Sequence, residues 1–217
     1  AMDEQVAQME NFFRAASRRA VSSIVAIVTA DVSGAAALLF TPKWYDGDPM
    51  RDIMATFADY AQDLSERMVE FYFTKTMYEL LDWTLITYIN AMLARSATFK
   101  PSAAARFESD SKTIASFFEK HLIGSRVAKS VRIIIDIQAL AAGDVAALVT
   151  HCSLIKTAYP DITPHFVERI LSKRSDLTKE KMHRVLMQAA GVLSSKSAPG
   201  AAASILSRVP RFAEKKP

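Results

Sequence analysis

The sequence predicts an all-α protein: an elongated rod of one or two stacked antiparallel helical bundles. Three observations carry this. Apolar residues recur three and four positions apart along nearly the whole chain, the spacing of one helix face, and almost nothing alternates with the period of a strand. Six glycines and eight prolines in 217 residues leave little room for a loop-rich or disordered chain. The breaks between periodic segments are short, which sets consecutive helices side by side and antiparallel.

Val6, Met9, Phe13, Ala16 and Ala20 open a long first helix that continues through Ile24, Ile27 and Val28. Thr41-Pro42-Lys43-Trp44-Tyr45-Asp46-Gly47-Asp48-Pro49 is the clearest break in the chain. Ile53, Phe57, Tyr60, Ala61, Leu64, Met68 and Phe71 predict the second helix. The third runs through Leu81, Leu85, Tyr88, Ile89 and Met92 and closes at Phe99-Lys100-Pro101-Ser102. Ile114, Phe117, Phe118, His121 and Leu122 form the fourth, and Val127, Val131, Ile134, Ile135 and Gln138 the fifth. Gly143 then ends one helix and Asp144 caps the next, whose stripe is Val145, Leu148, Val149, Cys152 and Ile155. Beyond the turn Tyr159–Pro164, Thr163 can cap and Pro164 suits the first helical position, where a missing N–H costs nothing. Val167, Ile170 and Leu171 continue that short helix to Lys173-Arg174-Ser175-Asp176. Met182, Val185, Leu186, Ala189 and Leu193 make the last.

Residues 1–196 therefore read as the rod, and 197–217 as a spacer in which Ile205, Leu206 and Val209 can dock one short helix before a basic tail. No repeat of about 20 to 50 residues recurs, so the solenoid families are not supported.

A chain of this length buries roughly 70% of its unfolded surface, enough for a stable core without staples. The single cysteine, Cys152, excludes an internal disulfide framework and suits a reducing cytosol. Neither Asn11 nor Asn90 begins a glycosylation acceptor, and no signal peptide opens the chain. Val21 to Phe40 is the one stretch that invites a membrane reading, but Asp31 interrupts it and serines and alanines dilute it, so a buried helix fits better. Residues 1–110 carry 10 basic and 15 acidic side chains, net −5, while residues 111–217 carry 17 and 8, net +9. The two ends of an elongated molecule would thus present opposite potentials, without the basic density of a nucleic-acid binder.

Catalysis has no visible foundation. His121, His151, His165 and His183 show no paired metal-ligand spacing, and Cys152 lies on the apolar side of its helix, where a small buried hydrophobe is the default. Asp46-Gly47-Asp48 lacks the further oxygen ligands of a calcium loop. No phosphate-binding glycine loop or glycine-flanked serine appears. No cofactor, metal, small-molecule substrate or nucleic acid is expected.

Two surface features remain. Trp44 and Tyr45, in the break between charged residues, can anchor a partner helix or fold back to plug the bundle's end. Arg169, Lys173, Arg174, Lys179, Lys181 and Arg184 cluster around one inter-helix corner, where they can meet acidic lipid headgroups or an acidic partner, or simply be solvated.

The turn Tyr159-Pro160-Asp161-Ile162, the helix end Leu171-x-x-Arg174-x-Asp176 and the final helix Lys179 to Leu193 resemble the carboxyl-terminal end of the exocyst complex component three (exocyst subunit Sec-six) family. Upstream, Tyr78 to Phe99 resembles the family's tyrosine-rich helix, with Tyr88-Ile89-x-Ala91-Met92-Leu93 followed by Arg95 and Phe99, and Phe107 to Leu122 fits its next helix. Ser175 stands where the family usually has glycine, and serine tolerates a left-handed turn poorly, which leaves the geometry between the last two helices open. The resemblance implies a non-enzymatic scaffold that holds secretory vesicles at the plasma membrane before SNARE-driven fusion. It implies a cytoplasmic protein, peripheral at plasma-membrane sites of secretion, with other exocyst subunits and SNARE machinery as partners. It also implies a much longer parent, and the start Ala1-Met2-Asp3 looks like an expression scar. The alternative is an adaptor that binds acidic or phosphoinositide membranes through the basic corner.

Overall fold

Residues 2–195 and 203–212 are described by the structure, a computed structural model, with side chains from Gln5 onward. The expected spacer at 197–202 and the tail lysines Lys215 and Lys216 lie outside the described residues. Among those described, ten α-helices and three short 3-10 turns form the molecule, with no strand. The helices are α1 (Met2–Asp31), α2 (Ser33–Ala36), α3 (Pro42–Asp46), α4 (Pro49–Arg67), α5 (Glu70–Met92), α6 (Ala103–Phe118), α7 (Gly124–Ala142), α8 (Leu148–Ala158), α9 (Pro164–Leu171) and α10 (Lys179–Leu193).

Local capping sets several of these boundaries. Asp48 accepts a bond from the Arg51 N–H, and Pro49 opens α4. Asp144 accepts from Ala146 N–H and starts the 3-10 turn that leads into α8. Thr163 accepts from Phe166 N–H ahead of Pro164, and Thr178 caps α10 through Lys181 N–H. Each satisfies a donor that the first turn leaves without an intrahelical partner. Gly143 is needed for space: a Cβ there would sit 2.3 Å from the Ala139 carbonyl oxygen.

Two sequence expectations need correction. The break at 41–49 contains a helix, α3, begun by Pro42. The second helix stops at Arg67, because Met68 turns extended at its end; Phe71 then belongs to the first turn of α5 and is 69% exposed.

α6 and α7 make the most extensive helix pair, α8 packs on α10, α1 lies along α5, and α4 leans on α6. One contiguous apolar core runs through all of them, from Val28 to Val209. α1 spans about 45 Å at 1.5 Å per residue, and only its second half, with Val21 and Val28, enters the core. Between α2 and α3, Phe40 has a left-handed backbone (φ 59°) that costs a bulky residue roughly 1–2 kcal/mol. Its ring offsets that cost by packing at 4.5 Å from Trp44, 4.8 Å from Tyr88 and 5.5 Å from Phe107.

The two segments on which the family resemblance rests meet in space. Phe99 N–H donates to the Lys173 carbonyl at 2.8 Å, and Ser175 N–H donates to the Phe99 carbonyl at 2.9 Å. This isolated bridge holds the chain extended across Arg174. Ser175 has no left-handed backbone, so serine in place of glycine imposes no strain. At the carboxyl-terminal end, the 3-10 turn Ile205–Arg208 buries Leu206, with Val209 buried just beyond it, and it is tied by Ser204 to the Asp161 carboxylate.

Candidate functional site

Trp44, read from the sequence as a partner anchor or an internal plug, is buried. It sits in α3 with no exposed surface, and its indole N–H donates to the buried Asp110 carboxylate at 2.7 Å. Tyr88 O–H donates to the same Asp110 oxygen at 2.8 Å, while the Arg106 guanidinium lies 3.7 Å from the other oxygen and 3.5 Å from Asp48. Burial raises the Asp110 carboxyl above its ordinary range, against the pull of the Trp44 and Tyr88 bonds. Tyr45 is half-buried; its hydroxyl donates to the Thr98 carbonyl and accepts from Lys100 N–H. Both aromatics are thus held by hydrogen bonds within the molecule. The sequence showed their size but could not show Asp110, 66 positions away from Trp44.

The basic corner divides in two. Arg169 donates to the carbonyls of Leu93 and Arg211, and Lys173 to that of Ala94, so both act on the chain leaving α5. Burial, with Arg169 and Arg211 nearby, pushes the Lys173 ammonium's pKa down. Arg174 is 6% exposed. Its guanidinium donates to the Leu140 and Gly143 carbonyls at 3.0 and 2.7 Å and forks onto Asp176 at 2.9 and 2.7 Å. These three are internal caps for helix ends, which favour cations. Lys179, Lys181 and Arg184 alone remain as an exposed basic edge on the first turns of α10.

Burial pushes the Cys152 thiol up to about 11, which removes the thiolate a nucleophile requires. His121 rests edge-on against Phe73 and Phe117, and burial lowers its pKa. Among the described residues no three potential metal ligands cluster, and no single helix is long and apolar enough to cross a membrane.

Two apolar surfaces emerge that sequence reading did not identify as exposed. The first half of α1 presents Val6, Met9, Phe12 and Phe13 at 52–70% exposure, with Phe71 of α5 also exposed. Their helical spacing was visible, but the same spacing describes a buried stripe. The second surface is a groove of about 720 Å³ between α7 and α8, with Leu154 in it, 61% exposed.

Residues 1–179 match the family model described as "Exocyst complex component Sec6". The chain is 30% identical over 171 residues to the exocyst complex component sec6 of Schizosaccharomyces pombe, a match covering 76% of this chain and 22% of that protein. A crystal structure of the C-terminal domain of the exocyst subunit Sec6p superposes with a TM-score of 0.71 at 16% identity, covering 89% of this chain and 51% of that one. A crystal structure of M-Sec gives 0.72 at 14%, covering 88% and 33%. The chain thus spans about a fifth of its curated relative's length, and the two solved structures share its helical fold. It belongs to the exocyst complex component Sec6 family.

Proposed function

We propose that this chain is a scaffolding segment of the exocyst, a structural and non-enzymatic part of the complex that tethers secretory vesicles at the plasma membrane before SNARE-mediated fusion. Its partners are other exocyst subunits and the SNARE machinery, and its place is the cytoplasmic face of the plasma membrane at sites of secretion. Family membership supports the complex. The exposed half of α1 is the structural observation that carries the mechanism. Four large apolar side chains, Val6, Met9, Phe12 and Phe13, stand exposed on the first half of a helix whose second half packs into the core. In proteins most helical stability comes from packing an apolar face, and this half of α1 leaves its apolar side chains in water. A rod whose end offers such a helix can stack on further helices and hold distant surfaces at fixed separation.

The test is co-purification from native extract. The full-length parent should bring down other exocyst subunits; recovery of none of them would refute the assignment.

A second reading, attachment to acidic or phosphoinositide membrane, draws on the exposed edge of Lys179, Lys181 and Arg184. Three such residues supply about 1 kcal/mol each near an anionic surface, too little for stable attachment alone. Liposome flotation decides it: binding that is lost at high salt and in Lys181→Glu/Arg184→Glu would support this reading.

A further inference from the structure

We propose that the groove between α7 and α8 docks one acidic, amphipathic helix of a partner protein. The chain bends by 112° between α7 and the segment Val145–Ala158, which leaves a concave strip along both helices. Ala128 and Ala139 from α7 and Ala158 from α8 line it, and their small side chains leave the space that Leu154 only partly fills. A 61% exposed leucine in a concave setting suits an apolar anchor inserted from outside. The volume, about 720 Å³, accommodates a few large side chains from one helix face, the usual mode of helix-in-groove recognition.

Charge identifies the occupant's chemistry. Lys129, Arg132 and His151 border the groove. Its one carboxylate, Asp136, is already engaged, accepting from Arg132 Nε at 3.0 Å and from Tyr159 O–H at 3.0 Å. Lys129 makes no ion pair among the described residues. The rim is therefore net positive, within a half of the chain that itself carries net +9. A partner helix with leucines on one face and glutamates beside them matches both floor and rim. The groove has one phenol ring, Tyr159, tied to Asp136, where a run of nucleic-acid bases would need several rings to stack on.

The experiment is fluorescence anisotropy with a labelled, stapled fifteen-residue helix carrying leucines at positions i, i+4 and i+7 and glutamates on both flanks. The 217-residue chain should bind it saturably. Leu154→Glu should weaken binding by about tenfold or more, the effect of losing one buried leucine contact. A probe with lysine in place of glutamate should bind wild type far more weakly and regain affinity with Lys129→Glu. Leu154 is largely solvated, so far-UV circular dichroism should show Leu154→Glu folded. If that variant does not fold, perturbation of the Ala128 and Leu154 methyl resonances by the probe reads the site directly in wild type. Failure of wild type to bind, equal binding of both probes, or unchanged affinity in folded Leu154→Glu would overturn the proposal. So would sedimentation showing a dimer that Leu154→Glu dissolves, since the groove would then face a second copy of this chain.

Discussion

The indole N–H of Trp44 and the carboxylate of Asp110 form a 2.7 Å hydrogen bond inside the core, and Tyr88 donates to the same oxygen. That carboxylate ties α3, α5 and α6 together. Asp110→Ala would leave two buried donors without an acceptor and is expected to cost about 3 kcal/mol in urea unfolding. Asp110→Asn keeps an acceptor and should cost about 1 kcal/mol. The folded-state pKa of Asp110 is raised above the ordinary 3.8, so the stability linked to its proton is complete below that value and declines as pH rises through the folded value. The stability advantage of wild type over Asp110→Asn should therefore shrink as pH rises from 3.8 toward neutrality. An advantage that grows over that interval would contradict the buried, desolvated carboxyl.

Arg174→Ala removes the buried donors of the Leu140 and Gly143 carbonyls and releases Asp176 to solvent. The expected loss is about 3 kcal/mol, read as a lower denaturation midpoint. Arg174→Lys should recover little of it, because an ammonium cannot serve two carbonyls and a carboxylate from one plane. Full rescue by lysine would show that charge alone matters at this corner.

Gly143 and Gly191 should respond in opposite directions to alanine. At Gly143 the new Cβ meets the Ala139 carbonyl at 2.3 Å. The end of α7 must shift to admit it, at an expected cost of about 2 kcal/mol. At Gly191, inside α10, nothing lies within 4 Å of an added Cβ, and alanine should stabilise the helix by about 0.5–1 kcal/mol. Thermal unfolding of the two variants beside wild type tests both.

Limited chymotrypsin digestion of the isolated chain should cut first after Phe12 or Phe13, where α1 has no tertiary support. The product from residue 14 onward should unfold cooperatively within about 0.5 kcal/mol of the parent, as expected for loss of surface residues. Early cleavage after the exposed Phe71 of α5 would instead mean that α1 is held better than its exposure indicates.

The order of the helices and most of their boundaries were readable from residues alone. Apolar spacing marked α4 through α10, and Asp144 and Thr163-Pro164 announced helix starts where the structure has them. Cys152 was placed on a buried face by the company of Leu148, Val149 and Ile155, and it is buried. The surfaces were less readable. Six basic residues close in sequence suggested one patch, yet Arg169, Lys173 and Arg174 turn inward to carbonyls just beyond α5 and at the end of α7.

That division has one physical cause. Helix periodicity and capping involve groups within about four positions of each other, so the linear chain states them directly. Whether a stripe is covered or a cation reaches solvent depends on partners dozens of residues distant: Phe99 with Arg174, Trp44 with Asp110. The residues of α1 thus announced an amphipathic helix, and only the packed molecule shows that half of its apolar side faces water.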